Sequence, residues 1–174
     1  MLSMQHEFDR RINTLRTRAV RYLADGKADA ERYPDDVAAL AACICRYAFR
    51  TDFDIAAARD LCGLSDNNIH TRFFHVLGHT PAKYLEQLRL GAAAHLLLDT
   101  TARVNLVARA VGYPRVETFT RRFKAHYGRP PGRWRATRSQ RPDQASFRPQ
   151  PAKRSPVWYS THGAPTQRAQ TEAR

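Results

Sequence analysis

The sequence predicts an all-α chain in which a unit of short helix, turn and second helix occurs twice, with one long helix joining the copies. Three observations carry this. Apolar residues recur at helical spacing between Tyr33 and Arg138, and nothing there alternates with period two for long. Glycines at 63, 78, 112 and 128 punctuate the stretch at matching places. Between the two pairs, Thr80-Pro81 supplies a cap residue followed by proline at the first helical position, opening a long uninterrupted helix.

The first element is an amphipathic helix within residues 1–33. Phe8, Ile12, Leu15, Ala19 and Tyr22 recur at spacings of 4, 3, 4 and 3, and the pattern stops near Gly26. This seam either docks on its own chain or pairs two copies. At about two heptads it falls short of the three or four that argue a coiled coil, so a monomer is expected rather than a dimer. A helix from Asp35 to Tyr47 follows Pro34, with Val37, Leu40, Ala41 and Ile44 on one face. Asp54 to Cys62 forms a short helix ending at Gly63. Ser65 then caps a helix whose apolar side is Ile69, Phe73 and Val76. The long helix over 80–99 buries Tyr84, Leu85, Leu88, Ala92 and Leu96. Val104 to Val111 leads into a turn at Gly112-Tyr113-Pro114 and a helix with Phe119, Phe123 and Tyr127 at i, i+4 and i+8. A last short helix follows Pro131 and carries Trp134. From Ser139 onward, Pro142, Pro149, Pro151, Pro156 and Pro165 stand among Ser, Gln, Thr and Arg, which predicts a disordered basic tail over 139–174.

Lys and Arg number 29 against 16 Asp and Glu, a formal net charge of +13, which points to a polyanionic partner: nucleic acid or an acidic membrane surface. The excess is local. Residues 34–102 carry net −2, whereas residues 103–138 hold ten basic residues against Glu117 alone. The N-terminus has no apolar core of the kind a secretory signal needs. The longest apolar run, Val37 to Cys45, is about half a bilayer span, so a soluble cytoplasmic chain with no membrane partner is expected. Cys43, Cys45 and Cys62 form an odd set at no framework spacing and read as reduced core thiols. A metal site recruiting His70, His75 and His79 fails on geometry, because Cys43 and Cys45 point to nearly opposite helix faces. No nucleophile–base pair, Gly-rich phosphate loop or paired carboxylates are present, so neither catalysis nor a cofactor is expected.

The repeated units, about 54–78 and 104–128, each describe a helix-turn-helix, whose second helix can enter a major groove. A joining helix of about 19 residues spans roughly 28 Å. Successive major grooves on one face of DNA lie about 34 Å apart, so the copies can address neighbouring segments. Outward residues of the second copy are Arg115, Glu117, Thr118, Arg121 and Arg122. Arg forks to guanine, Glu accepts from cytosine N4, and Thr touches a base or a phosphate. Half or more of such contacts only grip phosphate. In the first copy Asn67, Asn68, His70 and Thr71 face outward; Asn either reads adenine or caps the helix.

At the residue level, Thr80-Pro81-Ala82-Lys83-Tyr84-Leu85-Glu86-Gln87-Leu88-Arg89-Leu90, with Ala93 and Leu96-Leu97, resembles the linker helix of the AraC/XylS family of bacterial transcription regulators. Val107-Ala108, Gly112-Tyr113, Phe119, Phe123, Gly128, Pro131 and Trp134-Arg135 resemble that family's C-terminal signature almost position by position. The resemblance covers roughly residues 36–138. It implies two homeodomain-like helix-turn-helix subdomains over 34–138 that bind double-stranded DNA sequence-specifically and regulate transcription, with RNA polymerase as a further partner. Only about 35 residues precede the match, so the chain resembles the stand-alone class of the family. The first copy departs from the pattern. Arg59 stands where a small residue is expected and the second copy has Ala108; Thr71-Arg72 replaces an Arg-then-apolar pair; Phe74 replaces an exposed Lys. With net −2 nearby, these changes predict weaker DNA contact by the first copy. Two other readings stand beside this one: a degenerate member acting as a protein–protein adaptor through Phe74 and the N-terminal seam, and non-specific nucleic-acid coating by the basic tail.

Overall fold

The helix opened by Thr80-Pro81 becomes the centre of the molecule. The computed structural model describes residues 2–25, 33–65 and 68–136, and α5 (Pro81–Asp99) lies in their midst. The Thr80 hydroxyl accepts from the Lys83 backbone N–H at 3.3 Å. Such a cap is worth about 1 kcal/mol. The sequence predicts one apolar stripe on this helix, but Leu90, Gly91, Ala93, Ala94 and Leu97 are buried along with Leu85, Leu88, Ala92 and Leu96. A helix apolar on all sides is surrounded by others. Here α1 (Leu2–Asp25), α2 (Asp35–Tyr47), α4 (Ile69–Leu77), α6 (Val104–Ala110) and α8 (Pro131–Ala136) all pack on it.

In the first motif α2 buries Val37, Leu40, Cys43 and Ile44, while Ala41 is only half-buried. The short α3 (Ile55–Leu61) is capped by Asp54, whose carboxylate accepts from the Ala57 N–H at 2.9 Å. Two expectations for α4 are corrected. It begins beyond Ser65, with Asn68 at its N-cap position, and its buried row is Ile69, Phe73 and Leu77 rather than one ending at Val76. In the second motif α7 (Val116–Tyr127) buries Phe119 and Phe123 completely. Tyr127, expected beside them in the core, is half-buried, with ring centroids 4.6 Å from Phe123 and 4.5 Å from Trp134 on α8.

The two turns match bond for bond. Leu64 N–H donates to Arg59 C=O and Tyr113 N–H to Ala108 C=O, both at 2.9 Å; Gly63 and Gly112 N–H donate to Asp60 and Arg109 C=O at 3.1 and 3.2 Å. Both glycines are left-handed, at φ +63° and +89°, a conformation that a side chain resists.

The N-terminal seam is covered by its own chain. Ile12, Leu15 and Ala19 are buried against α5 and α6, so no free seam remains for a coiled coil. The Tyr22 ring stacks on His95 with centroids 5.0 Å apart, the Arg109 guanidinium lies 5.7 Å from the Phe8 ring centre, and Arg18 pairs with Asp99 at 3.1 Å. The tail expected over 139–174 lies outside the described residues.

Candidate nucleic-acid interface

The core rows of α4 and α7 fix which side chains these helices offer to solvent. On α7, Arg115 at the N-cap, Glu117 and Arg121 are exposed, and Thr118 is half-buried. Arg122 is exposed as well, but its Nη1 lies 3.3 Å from Glu86 Oε1, while Lys83 Nζ holds the other oxygen at 2.8 Å. With only 18% of its side chain exposed, Glu86 draws Arg122 back towards α5. On α4, Asn68 and Thr71 are exposed; His70, expected to face outward, is half-buried. Asn67 lies outside the described residues.

The first motif's departures acquire physical reasons. The Arg59 guanidinium donates to Leu64 C=O at 3.3 Å and Ser65 C=O at 3.4 Å, so the long side chain lies along the turn. Arg72 binds Asp36, with Nε–Oδ2 at 2.8 Å, and ties α4 to the first turn of α2. Phe74 stands 49% exposed where the second motif, counted back from its closing glycine, has Lys124.

The basic residues of the second motif divide in the same way. Arg109 covers Phe8, Arg122 binds Glu86, and Arg135 donates to Leu97 C=O at 3.3 Å and to Ala102 C=O. Among the described residues, Arg103, Arg115, Arg121, Lys124, Arg129 and Arg133 make no such side-chain contact. Three of them, Lys124, Arg129 and Arg133, line an open cleft of about 790 Å³ with Gly128, Pro130 and Ala136. Among the described residues no carboxylate lines it. Sequence reasoning counted these cations without nominating them; the signal was the reversal at Gly128 followed by Pro130-Pro131, which folds α8 back on α7.

His126 near this end has its pKa lowered by burial and by the Lys83 ammonium. The Cys43 thiol, pushed up to about 11 by burial and by its neighbour Cys62, reaches Ala58 C=O at 3.8 Å, and Cys62 reaches Ala39 C=O at 3.7 Å. A thiol held protonated packs rather than reacts. Among the described residues no group of three or more His, Cys, Asp or Glu is placed to share a metal ion, and no helix is long and apolar enough to cross a membrane.

A family model described as a helix-turn-helix domain matches residues 59–137. The transcriptional activator NphR of Rhodococcus sp is 38% identical over 82 residues, 47% of this chain and 23% of that protein. The bifunctional transcriptional activator/DNA repair enzyme AdaA of Bacillus subtilis is 29% identical over 87 residues, 50% of this chain and 41% of that protein. The chain spans 26%, 23% and 21% of the lengths of the regulator AlkR of Acinetobacter baylyi, NphR and the xylose operon regulatory protein of Escherichia coli. Among solved structures, the C-terminal domain of AraT, a response regulator from Geobacillus stearothermophilus, shares the fold with a TM-score of 0.59 at 24% identity, covering 61% of this chain and 88% of that one. The C-terminal domain of the response regulator yesN from Fusobacterium nucleatum superposes with a TM-score of 0.53 at 26% identity, over 55% of this chain and 93% of that one. An AraC-like transcription regulator of Streptomyces lividans is 31% identical over 81 residues, 47% of this chain and 27% of that protein. Over residues 59–137 this chain carries a helix-turn-helix domain.

Proposed function

We propose that residues 34–138 bind double-stranded DNA sequence-specifically, with α4 and α7 entering successive major-groove segments, and that the chain regulates transcription without catalysis of its own. The observation that carries this reading is the recurrence of one turn geometry at both ends of α5, with unpartnered cations gathered on the second motif. In this reading Arg115, Glu117, Thr118 and Arg121 meet base edges or adjacent phosphates. Arg122 does so only by leaving Glu86. Lys124, Arg129 and Arg133 grip the backbone beyond the groove. Asn67, Asn68, His70 and Thr71 add a smaller share from the first motif, whose Arg59 and Arg72 are committed internally. Relatives named as transcriptional regulators and activators support the role, and RNA polymerase is the further partner it implies. With its seam covered, the chain acts as a monomer.

Selection of bound sites from random duplexes, followed by footprinting at moderate salt, tests this. Discrete protected sites are expected; no protection favours an adaptor using Phe74, and smeared protection favours coating. Arg121→Ala should cost about 1–3 kcal/mol on the selected site and relax preference at one position. Thr71→Ala and Asn67→Ala should each cost less, and a larger loss at either would make the first motif the principal reader.

A further inference from the structure

Arg89 leaves the middle of α5 and enters the gap between the first motif and the second turn. Its Nε donates to Ala48 C=O at 2.7 Å, and its Nη2 donates to Arg50 C=O and Phe53 C=O, both at 2.9 Å. These carbonyls end α2 and begin the path to α3, so they belong to the first motif. Across the gap, the guanidinium carbon lies 5.8 Å from the centre of the Tyr113 ring, which belongs to the second. The contact is close: a Cβ on Gly112 would stand 2.8 Å from Arg89 Nε and 3.0 Å from Ala48 C=O. The backbones of the two motifs thus meet at this point, with one half-buried guanidinium between them.

We infer that Arg89 is the positioning residue that sets the angle between the two motifs, and through it the half-site spacing that the chain accepts. The second clause rests on the DNA-binding reading; the first does not. The chemistry suits arginine specifically. Its planar fork holds several carbonyls in fixed directions while a face lies on an aromatic ring, and an ammonium on a flexible stem cannot reproduce that arrangement. Because each motif also packs on α5, loss of the fork leaves each motif folded and frees their mutual angle.

The test uses the full chain with Arg89→Lys, Arg89→Met and Tyr113→Leu. Residual dipolar couplings of backbone amides report the alignment of α2, α3 and α4 separately from that of α6 and α7. Wild type should give one tensor for both groups. Arg89→Lys and Arg89→Met should give two, with helical circular dichroism unchanged. A single shared tensor in a folded Arg89 variant overturns the inference. If both Arg89 variants unfold, Tyr113→Leu decides, since it removes only the second motif's side of the contact; a single tensor there overturns the inference too. On DNA, one base pair inserted between half-sites should weaken wild-type binding about tenfold, the scale of one misplaced contact. The Arg89 variants should lose that discrimination while binding an isolated half-site as wild type does. Equal discrimination in variant and wild type overturns the spacing clause. Absence of any specific site for wild type defeats the DNA-binding reading and its spacing clause, and leaves the tensor result to decide the angle.

Discussion

Gly63 and Gly112 occupy equivalent places in the two turns, and alanine at either must hold a left-handed backbone, a strain of about 1–2 kcal/mol. Their surroundings separate them. At Gly63 a Cβ meets nothing within 4 Å; at Gly112 it falls 2.8 Å from Arg89 Nε and 3.0 Å from Ala48 C=O. The carbonyl is backbone, and the guanidinium is held by three hydrogen bonds, so neither gives way cheaply. Disrupting a charged donor's bonds adds roughly 1.5–3 kcal/mol. Gly112→Ala should therefore lose about 2.5–5 kcal/mol, against about 1–2 kcal/mol for Gly63→Ala. Urea unfolding followed by circular dichroism measures both, and a gap of about 2 kcal/mol corresponds to roughly 4–8 °C in Tm. In an Arg89→Met background the excess at Gly112 should shrink to the part due to the Ala48 carbonyl, a coupling that a double-mutant cycle isolates. Equal losses at the two glycines would refute the reasoning.

Ile12→Asp places a carboxylate against α5 and α6 where only 9% of the residue is exposed, so it should destabilise the fold by several kcal/mol without changing the sedimentation coefficient; a shift from dimer to monomer would reverse the seam's assignment. Replacing Lys124, Arg129 and Arg133 together by Gln should reduce the salt slope of DNA binding by about 2–3, at 0.9 per phosphate, with site preference retained; an unchanged slope removes the cleft from the interface. His126 titrates below its ordinary 6.5 in the folded chain, so the unfolded state takes up its proton first. The stability it contributes is complete above that value and is lost as pH falls through the folded pKa. His126→Gln should flatten the fall in Tm between about pH 7 and pH 5, and an unaltered fall would exclude His126 as its source.

The local parts of the fold were legible in the sequence. Thr80-Pro81 named the start of α5, Phe119 and Phe123 named the buried row of α7, and paired glycines named both turns. Misses came where a side chain answers to something distant in the chain. Nothing near Arg122 announces Glu86, and nothing near Arg72 announces Asp36, so both arginines read as surface groups from periodicity alone. Arg59 looked like a flaw because the slot was judged by size, whereas its length lets it bind two turn carbonyls. The all-round burial of α5 was hidden for another reason. Gly91, Ala92, Ala93 and Ala94 carry little hydrophobic signal, and their burial records how closely neighbours approach rather than how apolar they are. Net charge by segment singled out residues 103–138 but could not say which cations were already occupied.

The fold also separates what can vary from what cannot. From Leu90 to Leu97 every residue of α5 except His95 is buried, so a larger side chain anywhere in that stretch meets a packed neighbour. Thr71, Arg115, Glu117 and Arg121 are exposed, and replacing them leaves the core rows of α4 and α7 intact. In the proposed DNA-binding role, a chain organised in this way can drift to a new operator through a few surface substitutions, each close to neutral for folding. It offers the protein engineer the same freedom: retargeting starts from a handful of outward positions around a spine that is best left alone.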